Sequence, residues 1–359
     1  MKVKSLELHN FRNYINEKFE FHKDTNVLFG NNAQGKTNAL EALFVCGTTK
    51  SHKGSKDSEL IRWKEDEAHI RMIVDKKEIE YKIDMHLKKR QAKGIAINGF
   101  TTRKSKDLIG LVNIIFFSPE DLGIINNGPS ERRRFLDIEL CQLDKLYVSY
   151  LTMYQKALQQ RNSLLKQIYY DHSLEKMLSV WDEKLLEYGQ QIIATRDTFI
   201  KQLNEIVKKI HYNISDEKEI LEISYDPNVI NEDFKVKLKK YREKDLMLKN
   251  TNVGPHRDDI LFYINGEDVR KYGSQGQKRT VALSLKLGEI DIVKEKIKEA
   301  PILLLDDVLS ELDRNRQRKL LDNIKGIQTI ITCTGLEEFI NEKINIDMLF
   351  EIDNGVVKK

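Results

Sequence analysis

With 359 residues, 60 of them basic and 56 acidic, the chain has length for a large buried core and a net charge of only +4, so nucleic acid is permitted as a partner and not demanded. No run approaches the roughly 18 apolar residues of a membrane-spanning helix, and the opening MKVKSLELHNF lacks the apolar stretch of a secretory signal. With no such span, no membrane partner is expected; Cys46, Cys141 and Cys333 are odd in number and widely spaced, which argues against a disulfide framework or a structural zinc site and for a reducing cytoplasm.

Residues 6–8 and 19–21 alternate apolar and polar, as half-buried strands do, and Val27-Leu28-Phe29 is an apolar strand. That strand runs into Gly30-Asn31-Asn32-Ala33-Gln34-Gly35-Lys36-Thr37, which fits the phosphate-loop pattern G-x-x-x-x-G-K-[ST] at every fixed position and opens a helix over 36–44. In such a loop the backbone N–H groups and the helix N-terminus hold the phosphates of ATP. Lys36 then reaches the β- and γ-phosphates, and the Thr37 hydroxyl binds Mg²⁺.

Segments 68–74 and 78–87, joined by Asp75-Lys76-Lys77, read as antiparallel strands, and Asn98-Gly99 marks a further hairpin. Around it, Lys88, Lys89, Arg90, Lys93, Arg103, Lys104 and Lys106 are either solvated surface or contacts to a DNA backbone. Residues 111–117 form a buried strand.

From 130 to 225 the chain has no proline and one glycine, Gly189. The runs 144–170 and 182–210 repeat apolar residues at helical spacing, with Ile192, Ile193, Phe199, Leu203, Ile206 and Ile210 on one stripe. Residues 130–245 are therefore expected to form a helical lobe. Arg132, Arg133 and Arg134 either bind DNA phosphates or brace the junction of the lobes. His256 and Arg257, beside Asp258 and Asp259, supply too few ligands for a metal and fit hydrogen bonding between lobes better.

Asn265-Gly266 lies between two apolar runs, a hairpin signal. Tyr272-Gly273-Ser274-Gln275-Gly276-Gln277 then precedes a long helix over 277–298. Ser274 and Gly276 at its start make a second anion-binding nest, suited to the γ-phosphate of ATP on a partner copy; plain N-capping by Ser274 is the alternative. Ile302 to Leu305 form a buried strand that delivers Asp306 to the Mg²⁺, directly or through water, and Asp307 either to the attacking water, as general base, or to a helix or turn cap. The apolar run at 328–332 is its parallel neighbour, with a crossover helix between.

Thr37 and Asp306 are more than 260 residues apart and must meet at one nucleotide. The simplest arrangement is an α/β phosphate-loop ATPase head built from both chain ends, 1–129 and 246–359, with the helical lobe 130–245 inserted.

The three motifs, their order and the interrupted domain resemble the SMC-type branch of the ABC ATPases. The strings 11-FRNY-14, 50-KSHK-53, 116-FFSPEDLGIINNGPSERRRFLD-137 and 254-GPHRDD-259 are similar to those of the RecF family within it, and the resemblance spans essentially the whole chain. It implies that Ser274, Gly276 and Gln277 cover a partner's nucleotide, that Ser310 to Asp313 run along a dimer interface, and that Arg12 touches nucleotide. It also implies an ATP-dependent homodimer that clamps DNA without sequence preference and works with RecR and RecO in recombinational repair, replication-fork recovery, recombinase loading at gaps and SOS induction. Two departures stand out. Ser118-Pro119-Glu120-Asp121 has no glutamine where related ATPases carry one. Cys333-Thr334-Gly335 follows the 328–332 strand without the usual histidine, leaving Thr332 or Thr334 to substitute. Both predict slow hydrolysis, a switch more than a motor. The rivals are a transporter's nucleotide-binding subunit, which needs a membrane partner, and an SMC-type tether, which needs a much longer coiled coil.

Overall fold

The computed structural model describes residues 1–102, 104–336 and 345–358. Two compact units divide the chain: Met1–Asp121 with Lys286–Lys359, and Leu122–Leu285. The sequence placed these transitions at 129/130 and 245/246.

The first unit opens with β1 (Lys2–Phe11), β2 (Tyr14–Glu20) and β3 (Thr25–Phe29), followed by helices α1 (Lys36–Thr48) and α2 (Asp57–Leu60). Then come β4 (Glu67–Lys76), β5 (Ile79–Lys88), β6 (Gln91–Ile97), β7 (Phe100–Thr101) and β8 (Ile114–Phe117). Six of these strands make an antiparallel sheet in the order β2-β1-β4-β5-β6-β7. Its inward residues alternate as period two requires; Ala68, Ile70, Met72 and Val74 of β4 are all buried. The β4–β5 turn falls at Lys77-Glu78, where the sequence suggested Asp75 to Lys77, and both residues have positive φ (51° and 65°), the twist that a two-residue hairpin loop needs.

The second unit contains α3 (Gly123–Asn126), α4 (Pro129–Leu143), α5 (Lys145–Ile168), α6 (Leu178–Ile214), β9 (Leu221–Asp226), α7 (Phe234–Lys240), α8 (Arg242–Leu248), β10 (Asp259–Ile264), β11 (Glu267–Asp268) and α9 (Val269–Tyr272). Helix α10 (Gln275–Ile297) begins here, and the division at 285/286 falls within it. The 37 residues of α6 make a rod of about 55 Å. Its apolar stripe is buried at Ile192, Ile193, Phe199 and Leu203. Strands β9, β10 and β11 form a small antiparallel sheet turned at Asn265-Gly266 (φ 51° and 87°).

Several arginines in this unit are interior. Arg161 donates to Asp182 (2.7 Å), Asp245 (2.7 Å) and Thr251 (2.8 Å), and Arg196 to Asp258 (2.9 Å) and Asp137 (2.8 Å). Arg132, 1% exposed, forks onto Asp259 (2.5 and 3.1 Å) and the carbonyls of Ile124 and Asn127. Charges this deep persist only when paired and hydrogen-bonded. Arg132 is thus an internal brace, while Arg134 sits 3.8 Å from Glu131.

The chain returns to the first unit with β12 (Ile302–Asp306), α11 (Arg314–Asn323), β13 (Thr329–Cys333), β14 (Met348–Asp353) and β15 (Val356–Lys358). The second six-stranded sheet has the order β15-β14-β3-β13-β12-β8 and is parallel apart from β15. Strands β8, β12 and β13 are buried at every position, which is why they read as unbroken apolar runs. Helix α1 contacts strands of both sheets and is buried nearly all round, consistent with its lack of a polar face. No helix among the described residues is long and apolar enough to cross a membrane.

Candidate nucleotide-binding site

Both glycines of the phosphate loop are needed for its path. Gly30 has φ 149°, and a Cβ there would lie 2.3 Å from the Ile352 carbonyl oxygen; Gly35, at φ 117°, caps α1 against the Asn13 side chain. Ala33 also adopts a positive φ (65°). The loop is tied down from two directions. From the β1–β2 turn, Asn13 Nδ2 donates to the Gln34 carbonyl (2.8 Å) and the Tyr14 hydroxyl to the Gly35 carbonyl (2.9 Å). From the β14–β15 turn, Asn354 N–H donates to Gln34 Oε1 (2.5 Å) and Gly355 N–H to the Gln34 carbonyl (2.9 Å). Asn31 and Asn32 stay at the surface of the loop. Lys36, 4% exposed, donates through Nζ to the carbonyls of Gly30 (2.6 Å) and Asn31 (3.0 Å), so its ammonium lies inside the loop it closes.

Thr37 and Asp306 meet: Thr37 Oγ1 donates to Asp306 Oδ1 at 2.8 Å. Thr332, opposite Asp306 in the β12–β13 register, donates to the same oxygen at 2.8 Å. Burial pushes the Asp306 carboxyl above its usual range, and these two hydroxyls offset that only in part. The Thr332 hydroxyl also accepts the Asp307 N–H (3.0 Å), and Ser310 Oγ donates to the Asp307 carbonyl (2.8 Å). Both backbone groups of Asp307 are therefore pinned while it holds φ 51°, a conformation aspartate tolerates better than most residues. Thr37 and Asp306 are thus brought together, with Asp307 next in the chain and Thr332, rather than the exposed Thr334, bonded to Asp306.

Arg12 is held by Glu41 of α1, with Nε and Nη2 on its two carboxylate oxygens (2.8 and 3.0 Å), and by the Glu59 carbonyl (2.9 Å) and Ser55 Oγ (2.9 Å). Glu41 is 1% exposed; burial drives its carboxyl up, but hydrogen bonds from Arg12 and Ser51 outweigh that and hold it below the usual range. In the segment without the glutamine, Asp121 accepts from Ser118 N–H (2.7 Å) and lies 3.5 Å from Lys286. Asp313 caps α11, accepting from Arg316 N–H (3.0 Å) and Arg316 Nη1 (2.6 Å).

Ser274, Gly276 and Gln277 belong to the other unit, at the start of α10. Ser274 Oγ accepts the Gln277 N–H (3.2 Å), and Gln277 Oε1 accepts the Ser274 N–H (2.8 Å), a reciprocal capping box. The Gly276 carbonyl accepts from Thr280 Oγ1 (2.8 Å).

The basic hairpin is less available than its composition suggests. Lys93 donates to the Thr49 carbonyl (2.5 Å) and Asp57 (2.9 Å), and Lys89 lies 3.4 Å from Asp66; Arg103 lies outside the described residues. His256 sits between the Tyr154 hydroxyl (2.7 Å) and the Thr251 carbonyl (3.0 Å), and its burial lowers its pKa to about 4; these bonds all stay within the second unit.

The sequence matches the RecF/RecN/SMC N-terminal domain family over residues 2–357. The DNA replication and repair protein RecF of Lachnoclostridium phytofermentans is 59% identical over 359 residues, covering 100% of both chains. The chain belongs to the RecF family. The RecF of Agathobacter rectalis is 57% identical, over 100% of this chain and 99% of that one. A solved structure of the recombination mediator protein RecF with ATP, described within the RecFOR pathway, superposes with TM-score 0.93 at 40% identity, over 100% of this chain and 97% of that chain. An Smc head bound to the C-winged-helix domain of ScpA shares the fold, at TM-score 0.56 and 16% identity.

Within the RecF-family fold, no role is legible in the sequence for Asn13 and Tyr14 of the 11–14 string or for Asn354, which hold the phosphate loop, or for Glu41, which holds Arg12. The Asn354-Gly355 dipeptide signals only a turn.

Proposed function

We propose that this chain is an ATP-dependent DNA-binding protein of DNA replication and recombinational repair, in which ATP joins two heads and slow hydrolysis separates them. The observation that carries this is the bond from Thr37 to Asp306 beside the enclosed Lys36 ammonium. It brings together, from opposite ends of the chain, the groups that a phosphate loop uses on a nucleotide. The relatives' description as replication and repair proteins, and the ATP-bound RecF structure, support the reading.

Thr37 Oγ1 and Asp306 Oδ1 are hard oxygen donors on one buried site, the kind Mg²⁺ takes, and they would hold it; the ion would neutralise charge on the β- and γ-phosphates. Lys36 and the loop N–H groups bind the phosphate tail. Asp307, fixed by Thr332 and Ser310, orients the attacking water as general base. Ser274, at the start of α10, closes over the γ-phosphate on the partner copy. The joined heads grip the DNA backbone without sequence preference, support recombinase loading at gaps and SOS induction, and work with RecR and RecO, in the cytoplasm.

Molar mass by light scattering, with ATP, ADP or no nucleotide and with or without duplex DNA, tests this. A dimer formed only with ATP, and DNA retained only by that dimer, is the expected result. A mass independent of nucleotide would overturn it.

A further inference from the structure

Resting on the reading of Ser274 as a partner-facing phosphate contact, we infer that Glu219 is a positioning residue for that serine. Glu219 is two residues before β9, on the segment leaving α6. Its Oε1 accepts from Gln277 Nε2 at 3.0 Å. A carboxylate only accepts, so it fixes which end of the Gln277 amide faces it. The amide oxygen is thereby turned to the Ser274 N–H (2.8 Å), and the capping box sets the serine hydroxyl against the Gln277 N–H (3.2 Å). An amide without that anchor is free to flip, which would aim its NH₂ group at the Ser274 N–H and open the box.

Glu219 is itself held on every side. Its other oxygen lies 3.1 Å from Nε2 of His211, a fully buried residue of α6 whose Nδ1 is 3.1 Å from Ser284 Oγ of α10. Its N–H donates to Ser215 Oγ (3.2 Å) at the end of α6, and the next residue, Ile220, exchanges bonds with Asn265 (2.9 and 3.0 Å). The orientation of Ser274 is thus set by the last turn of the longest helix of the protein, through one carboxylate. Every member lies in the second unit, and the phosphate loop belongs to the first.

The test compares Glu219→Ala, Glu219→Gln and Ser274→Ala in the full chain. ATP-linked dimerisation is read by sedimentation, and binding to the phosphate loop by a fluorescent ATP analogue at concentrations where the protein is monomeric. Glu219→Ala is expected to bind the analogue as the parent does and to melt somewhat lower, because buried His211 loses a partner, while its dimer weakens about tenfold or more, the scale of a lost hydrogen bond to a charged group. Glu219→Gln keeps an oxygen for Gln277 Nε2 and is expected to restore dimerisation to within about threefold, a loss smaller than that of one neutral hydrogen bond. Normal dimerisation of Glu219→Ala beside a defective Ser274→Ala would overturn the role of Glu219 and leave the function standing. Normal dimerisation of Ser274→Ala would remove the premise and the inference together. Equal defects in both Glu219 variants, or loss of analogue binding in Glu219→Ala, would mark a merely structural residue and overturn the inference.

Discussion

The hydroxyl of Thr332 serves two consecutive aspartates: it donates to the Asp306 carboxylate and accepts the Asp307 N–H, at 2.8 and 3.0 Å. One side chain on the neighbouring strand thus sets both the buried carboxylate beside Thr37 and the unusual backbone of the residue after it.

Thr332→Val keeps the shape and removes both bonds. Single-turnover hydrolysis is expected to fall about tenfold or more, as for a lost hydrogen bond to a charged group, while ATP binding changes little because Lys36 and the loop are untouched. An unchanged hydrolysis rate would mean that the hydroxyl is only structural.

Asp307→Asn preserves a residue that tolerates φ 51° and removes the carboxylate alone. The ATP-linked dimer should form normally and persist far longer than the parent's. Dimer lifetime after excess ADP is added reads this directly, and a parent-like lifetime would dismiss Asp307 as general base.

Arg12→Ala leaves Glu41 buried without its main counter-charge. In the parent, the Glu41 pKa is lowered on folding, so its contribution is present above the unfolded value of about 4.3 and is lost as pH falls below it. In the variant, burial dominates and the folded pKa rises, so the carboxylate costs stability as pH climbs. The stability gap between parent and variant should widen from about pH 4 to pH 6 in urea melts. A gap independent of pH would show that Arg12 acts on something other than Glu41.

His256, with its pKa lowered to about 4 by burial, is neutral in the fold, whereas the unfolded chain protonates it near its ordinary value of about 6.5. Stability tied to this residue is therefore full above about pH 6.5, falls as pH drops, and levels off below about 4, a loss of roughly 3 kcal/mol. His256→Gln should flatten that part of the stability profile.

Arg132→Ala separates bracing from DNA contact. Removing one partner of a buried ion pair typically costs about 3–5 kcal/mol. The folded fraction should bind DNA with the parent's affinity and the parent's salt dependence; a shallower salt slope would identify Arg132 as a phosphate contact after all.

The sequence displayed what local chemistry dictates. A phosphate loop needs glycines where φ is positive, and Asn98-Gly99 and Asn265-Gly266 announce tight turns because few other residues adopt those angles. Fully buried parallel strands such as β12 show as apolar runs. What stayed hidden depends on distant partners. Arg132 looks like a surface cation until Asp259, 127 residues away, is seen to bind it. Glu219 is an ordinary polar residue until the fold sets it 3.0 Å from Gln277. Strands β14 and β15 follow a segment with little periodicity, and their role in fixing Gln34 is not visible in composition.

The position of β3 between β13 and β14 has a consequence for synthesis on the ribosome. Both strands that flank β3, and the Asn354-Gly355 turn that secures Gln34, emerge more than 290 residues after the phosphate loop. Until then the loop has neither neighbour, and β3 offers two bare edges. A chain cut before β13 should therefore be blind to ATP and prone to aggregate, so that nucleotide binding reports the arrival of β13, β14 and the Asn354-Gly355 turn.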